Sequence, residues 1–308
     1  MKEQLKIRLL NWPNLLFLLL IMAILLPGQM AQRVKMSPPG VFLGVVIAIE
    51  IFYLVKLGRE KSRQAARDIA TFLYLFLLAW EVFTTKLDKL PYVFVPAPEN
   101  VFHVYVLHWE IILSGFWRSM ALLISGFGSA LLLGVVLGII VGWIPRLRNA
   151  VFPIAKAIST VPAMIYVPYV VVLMPTFTLA SIIVIFNGIF WTTFMNMINR
   201  VGTIDKRILD SAKILNVKTS TMLFQIILPY TLPRIINSLT VSLTVSLMTL
   251  TAAEMIGADR GMGYYVKRAL DYANYTQGMA GIFFIALVIT LLNSLITLLK
   301  KKLVKWNY

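Results

Sequence analysis

The chain has 308 residues, 59% hydrophobic and 14% charged, with a mean hydropathy of +0.82. Soluble domains carry roughly 45–50% apolar and about 25% charged residues, so composition argues against a soluble enzyme and excludes disorder. The formal net charge is +16, there is no cysteine, and the only histidines are His103 and His108; this removes disulfides, thiolate ligands and most metal-centred chemistry.

A hydrocarbon core about 30 Å thick needs on the order of 20 apolar helical residues. Eight stretches approach this: 12–27, 40–57, 68–85, 115–143, 150–174, 178–199, 230–256 and 279–299. The first has a short apolar core behind Lys2, Lys6 and Arg8. A signal peptide would look similar, but no clear small-residue cleavage site follows. With the N-terminus in the cytoplasm, nineteen basic residues fall on the inside and seven outside; Arg118, Lys156 and Arg234 lie near span ends. That bias predicts cytoplasmic termini and accounts for the positive charge without nucleic acid.

Within the spans, Glu50, Glu81 and Glu254 are acids in apolar surroundings, and a carboxylate at membrane depth is by default a functional candidate. The fourth span carries Gly126, Ala130, Gly134, Gly138 and Gly142, one small residue per turn. This stripe suits either a rocking surface or simple close packing. Pro153, Pro162, Pro168 and Pro175 punctuate span five, and freed carbonyls there need a neighbour or a polar cavity. Ser159, Thr160 and Tyr166 therefore become pathway candidates, with Asn187 in span six. Span seven is rich in hydroxyls, among them Ser238, Ser242, Ser246 and Thr249 on one face. They line a pathway or bond neighbouring helices. Glu254, near the outer end of this span, is a gate candidate.

Inside, residues 205–216 (DKRILDSAKILN) form a short amphipathic helix with Ile208, Leu209, Ala212 and Leu215 on one face. Asp205 suits its first turn and Asn216 a left-handed stop. Thr219 or Ser220 can cap a second short helix ending at Pro229. Pattern alone leaves two readings, a protein-docking knob and a helix lying on lipid.

The stretch Asp210–Pro233 (DSAKILNVKTSTMLFQIILPYTLP) resembles the Glu-Ala-Ala loop of ABC importer permeases, the binding-protein-dependent inner-membrane components. Asp210, Ser211 and Ala212 stand at the triplet, Asn216 at its downstream glycine, and Ile227-Leu228-Pro229 at its end. Residues 252–266 (AAEMIGADRGMGYYV), 95–102 (VPAPENVF) and 153–168 (PIAKAISTVPAMIYVP) resemble the nitrate, sulfonate and bicarbonate branch. Leu173-Met174-Pro175 replaces its frequent aromatic-glycine pair.

The resemblance spans about 91–300 and implies an all-helical permease with about eight transmembrane helices. Residues 1–67 form an N-terminal addition, and 68–308 the permease domain with coupling helices at 203–228. It further implies that Ile208, Leu209, Asp210, Ser211, Ala212, Leu215 and Asn216 contact cytoplasmic ATPase subunits. A second permease copy and an extracytoplasmic binding protein complete the assembly. No phosphate-loop motif G-x-x-x-x-G-K-[ST] occurs in the sequence, so ATP and Mg²⁺ are expected on the partner ATPase, with no cofactor or metal in this chain. An ion-gradient-driven transporter is the rival reading; it predicts an internal repeat, and none is visible.

Overall fold

The computed structural model describes residues 11–30, 34–57 and 63–303. Lys2, Lys6, Arg8, Arg33, Arg59, Lys61 and Lys305, used above to weigh orientation, lie outside them. Among the described residues six helices are long and apolar enough to cross a membrane, or seven if one bent pair counts as a single span. The first predicted span is a shorter apolar helix, α1 (Trp12–Leu25). The chain is therefore a multi-pass membrane protein; the six long helices, the bent pair and α1 stand in order at the eight predicted stretches.

The described residues within 1–111 and 268–282 make one compact unit, and those within 112–267 and 283–308 a second. The first unit contains α1, α2 (Gly40–Leu57), α3 (Arg63–Glu81) and α4 (Pro98–Leu107). Pro13 opens α1, where a missing N–H costs nothing. α3 buries a helical stripe, Ala66, Ala70, Tyr74, Leu77 and Trp80, and α1, which buries Leu16, Leu20 and Ile24, packs on α3. Glu50 finds the partner that sequence could not name: the Tyr74 hydroxyl donates to it at 2.7 Å.

At its far end α3 widens into a π-helical turn, Val82–Lys86. There the Lys86 ammonium pairs with buried Glu81 at 3.0 Å and donates to the Leu26 carbonyl at 2.6 Å. Gly28 is pressed against the same turn; a Cβ there would fall 2.1 Å from the Thr85 carbonyl oxygen. Thr85 in turn donates to the Glu99 carboxylate of α4 at 3.1 Å. Through this cluster the segment after α1 is tied to α3 and α4.

The second unit takes most of α5 (Trp109–Trp143), then α6 (Pro145–Ser159), α7 (Ala163–Leu173), α8 (Phe177–Gly202), α9 (Lys206–Ile214) and α10 (Leu228–Gly257). α11 (Met262–Asp271) and α12 (Tyr275–Leu303) run from one unit into the other. The glycine stripe of α5 lies on α8. A Cβ on Gly126 would sit 2.8 Å from Cβ of Ile185, on Gly138 2.5 Å from Cβ of Met197, and on Gly142 2.8 Å from Cβ of Val201. The two backbones approach as closely as missing side chains permit.

Predicted span five is sharply broken. α6 and α7 meet at 89° across Thr160–Pro162, while Pro153 and Pro168 stay inside helices. Pro162, with its fixed φ, makes the extended N-cap of α7. The second predicted cytoplasmic helix also differs. Thr219–Thr221 runs through a π-helical turn, Met222–Ile227, directly into α10, giving a 39-residue apolar rod. Pro229 sits in the first turn of α10, where proline is tolerated, so it does not end a helix. Lys218 is the N-cap, without a side-chain capping bond; neither Thr219 nor Ser220 fills that role.

Two outcomes are expected here. Gly138→Leu should sharply lower the melting temperature of the detergent-solubilised protein, whereas Gly128→Leu, with nothing within 4 Å of its Cβ position, should leave it within a degree or two. Equal effects would contradict the α5–α8 contact. Burial first, and then the Glu81 carboxylate, push the Glu99 carboxyl up from 4.5 to about 7. A raised folded value favours the protonated form, so this stabilisation is complete below about pH 4.5 and is lost as pH rises through about 7. Melting curves from pH 5 to 8 should fall by a few degrees in wild type, and Glu99→Gln should flatten that slope; the same slope in both would refute the assignment.

Candidate functional site: a cavity, an exposed ledge and a polar clasp

Within the second unit, α7, α8, α10 and the end of α6 enclose a cavity of about 1100 Å³. Of the sequence candidates it brings together Ser159, Tyr166, Asn187, Ser242 and Thr249. Ser238, from the same predicted hydroxyl face, lines it as well, and Trp191, Thr192 and Asn196 of α8 join them; these three lie about one to two and a half turns from Asn187 and were not singled out by the pattern. Among the described residues no charged side chain lines the cavity.

The α6–α7 break shapes the wall. Ser159 donates to the Lys156 carbonyl at 2.9 Å and Thr160 to the Ala157 carbonyl at 2.7 Å, satisfying acceptors that a helix end leaves open. Thr160 thus serves the bend and lies outside the cavity lining. On α8, Asn187 donates to the Ile183 carbonyl at 3.2 Å and accepts from the Trp191 indole at 3.3 Å. α7 comes close to α8 because Gly188 has no side chain; a Cβ there would meet Cβ of Ala163 at 3.1 Å. Ser246 is buried and donates to the Ser242 carbonyl at 2.9 Å, so it too lies behind the wall.

The second feature is α9. Asp205 accepts from the Arg207 amide at 2.9 Å, and Asn216 takes φ +50°, the left-handed stop that its residue type favours. The orientation of the helix corrects the sequence reading. Ala212, placed there on a free rib, is only 5% exposed and packs with Val135 and Ile139 of α5, Met197 and Val201 of α8, and Ile227. Ile208 and Leu209 are half-buried against the same cluster. The outward apolar surface is Ile214, 82% exposed, and Leu215, 76% exposed, beside exposed Asp210, Ser211 and Asn216. Ile214 was missed because helical periodicity gives one apolar face, and Ile214 lies off it.

The third feature surrounds Glu254, which is buried at the end of α10 and does not line the cavity. Its carboxylate accepts from the Ser119 hydroxyl at 2.5 Å and the Gly263 amide at 2.7 Å. Ser119 accepts from the Met262 amide at 3.0 Å. Gly261 takes φ +136°, and a Cβ there would fall 2.5 Å from the Glu254 carboxyl carbon. The segment 258–263 is thus folded onto one carboxylate, a partner set that explains how a membrane-depth acid is tolerated. His108 lies 3.5 Å from Gln277, and no group of three or more potential metal ligands occurs among the described residues.

The family model for binding-protein-dependent transport system inner membrane components matches residues 130–306. The chain belongs to that family. The taurine transport system permease protein of Escherichia coli is 28% identical over 257 residues, covering 80% of this chain and 91% of that protein. The nitrate import permease protein of Leptolyngbya laminosa is 25% identical over 64% of this chain and 75% of its own length. A chain of the methionine ABC transporter, in inward facing conformations, superposes with a TM-score of 0.53 at 18% identity, covering 65% of this permease and 97% of that chain. The permease is thus similar to members of the sulfonate, nitrate and bicarbonate branch of ABC importer permeases.

The clasp gives a direct expectation. Gly261→Ala should lower the melting temperature of the permease, since both its φ and the carboxylate oppose a side chain. Glu254→Gln should lower it too, because an amide cannot accept on both sides and one buried donor loses its partner, at about 1–3 kcal/mol. Wild-type melting in both variants would show that Glu254 does not hold this segment.

Proposed function

We propose that the permease forms one half of the translocation pathway of an ATP-driven importer. A second copy supplies the other half, cytoplasmic ATPase subunits dock at α9, and an extracytoplasmic binding protein delivers the solute. The observation that carries this reading is the double role of α8. Asn187 and Trp191 line the cavity, and further along the same helix Met197 and Val201 belong to the hydrophobic cluster in which Ala212 of α9 is buried. A push on α9 therefore reaches the cavity wall through one rigid rod. The exposed Ile214–Leu215 ledge suits a groove on a partner protein, and closure of two ATPase subunits would shift access of the pathway between the two sides of the membrane.

The solute is a small anion such as a sulfonate, nitrate or bicarbonate, or a vitamin precursor. The relatives' names support the anion, and so does the N-terminus of α7, where Pro162 and Ala163 border the cavity and the helix dipole favours negative charge. With no fixed cation in the wall, an anion would be guided without being held, as release requires. Nineteen basic residues on one side against seven on the other support cytoplasmic termini. An ion-gradient mechanism would need an acid on the pathway; Glu50, Glu81 and Glu254 are instead engaged by Tyr74, Lys86 and the Ser119–Gly263 clasp.

The test separates docking from folding. Ile214→Arg or Leu215→Arg buries an unpaired charge on assembly, which costs several kcal/mol. At a factor of about ten per 1.4 kcal/mol, copurification of the ATPase should fall by one to three orders of magnitude, with the melting temperature of the permease alone unchanged. Ala212→Arg should instead destabilise the permease itself. Undiminished ATPase binding and solute uptake in Ile214→Arg and Leu215→Arg would overturn the proposal.

A further inference from the structure

A feature unrelated to transport lies in the first unit. α2 and α3 leave between them a groove of about 400 Å³. It exists because α3 offers only Ala66 and Ala70, and α2 Ala48, where larger side chains would close the helix pair. Its walls are otherwise apolar or aromatic, with Ile49, Phe52 and Leu73 among them. From Val45 to Lys56 the groove follows twelve residues of α2, a rise of about 16 Å over eleven steps of roughly 1.5 Å. This matches half of a hydrocarbon core about 30 Å thick, the depth of one leaflet.

The charge is all at one end. Lys56 lines the mouth, one residue before α2 ends, and its ammonium lies 4.7 Å from the centre of the Phe52 ring. On the facing helix the Arg67 guanidinium lies near enough to the Tyr53 hydroxyl, another groove residue, to act on it electrostatically. Among the described residues no carboxylate lines the groove; Glu50, on the same helix, is buried on Tyr74. We propose that this groove binds one acyl chain of an anionic phospholipid, with the phosphate of its headgroup at Lys56. A zwitterionic lipid would fill the same apolar trough but brings a cation of its own to the mouth. A basic residue near the membrane surface is worth about 1 kcal/mol toward anionic lipid, or about fivefold.

The experiment uses the full-length permease in detergent, titrated with dioleoylphosphatidylglycerol or dioleoylphosphatidylcholine and read by native mass spectrometry. Wild type should retain the anionic lipid at least fivefold better. Lys56→Gln should lose about fivefold of that preference with phosphatidylcholine retention unchanged, and Lys56→Arg should restore it. Ala48→Phe, at an exposed position, fills the trough and should reduce retention of both lipids. sn-Glycerol 3-phosphate should not displace the lipid, since it lacks the chain. Equal retention of the two lipids by wild type, an unchanged preference in Lys56→Gln, or unchanged retention in Ala48→Phe would each overturn the proposal. Displacement by glycerol phosphate would make this a site for free phosphoesters and overturn the lipid assignment.

Discussion

The backbone contact between α5 and α8 is the constraint on which the second unit rests. Four glycines and an alanine on α5 remove the side chains that would hold the helices apart, and Ile185, Thr193, Met197 and Val201 of α8 fill the space. In a bilayer apolar surface gains little from leaving lipid, so close packing has to supply the attraction. Once this pair is fixed, the half that ends at Gly202 contributes to the cluster in which Ala212 of α9 is buried. The other half of α8 carries the polar wall of the cavity. The stripe that sequence left open between rocking and packing is a tight contact along four turns.

Polar groups are distributed by cost. Ionisable side chains at membrane depth are expensive, and each of the three acids is placed where a donor meets it: Glu50 at Tyr74, Glu81 at Lys86, Glu254 at Ser119 and Gly263. The cavity wall carries only hydroxyl, amide and indole groups, several of them already bonded to backbone carbonyls. Such a wall presents weak, dispersed hydrogen bonding, suited to passage. The Glu254 clasp instead fixes a loop, which makes it a structural element apart from the cavity wall.

Much of this was legible in the sequence because it follows from local chemistry. Asp205 and Asn216 marked the limits of α9 through capping and a left-handed stop, and the observed helix, Lys206–Ile214 with Asn216 at φ +50°, agrees. The prolines marked a broken span, although only Pro162 makes the 89° bend; periodicity cannot say which proline a helix will absorb. Facing was harder. Ala212 and Leu215 share a sequence pattern, yet one is buried and the other bare, because α9 packs on helices far away in the chain. The partners of Glu50 and Glu254 lie 24 and 135 residues away, beyond any local rule. The continuity of α10 through Pro229 was missed because a π-helical turn absorbs the bend that a proline ordinarily signals.

The central claim is that ATP switches the side from which the cavity is reached. The chain has no cysteine, so Ser242→Cys places one thiol on the cavity wall, where a small membrane-impermeant reagent reports access from each side of proteoliposomes holding the whole transporter. Labelling is expected from one side without nucleotide and from the opposite side when ATP is bound but not hydrolysed, with no response to a proton gradient. Labelling from the same side in both nucleotide states, or a switch driven by the gradient alone, would contradict it.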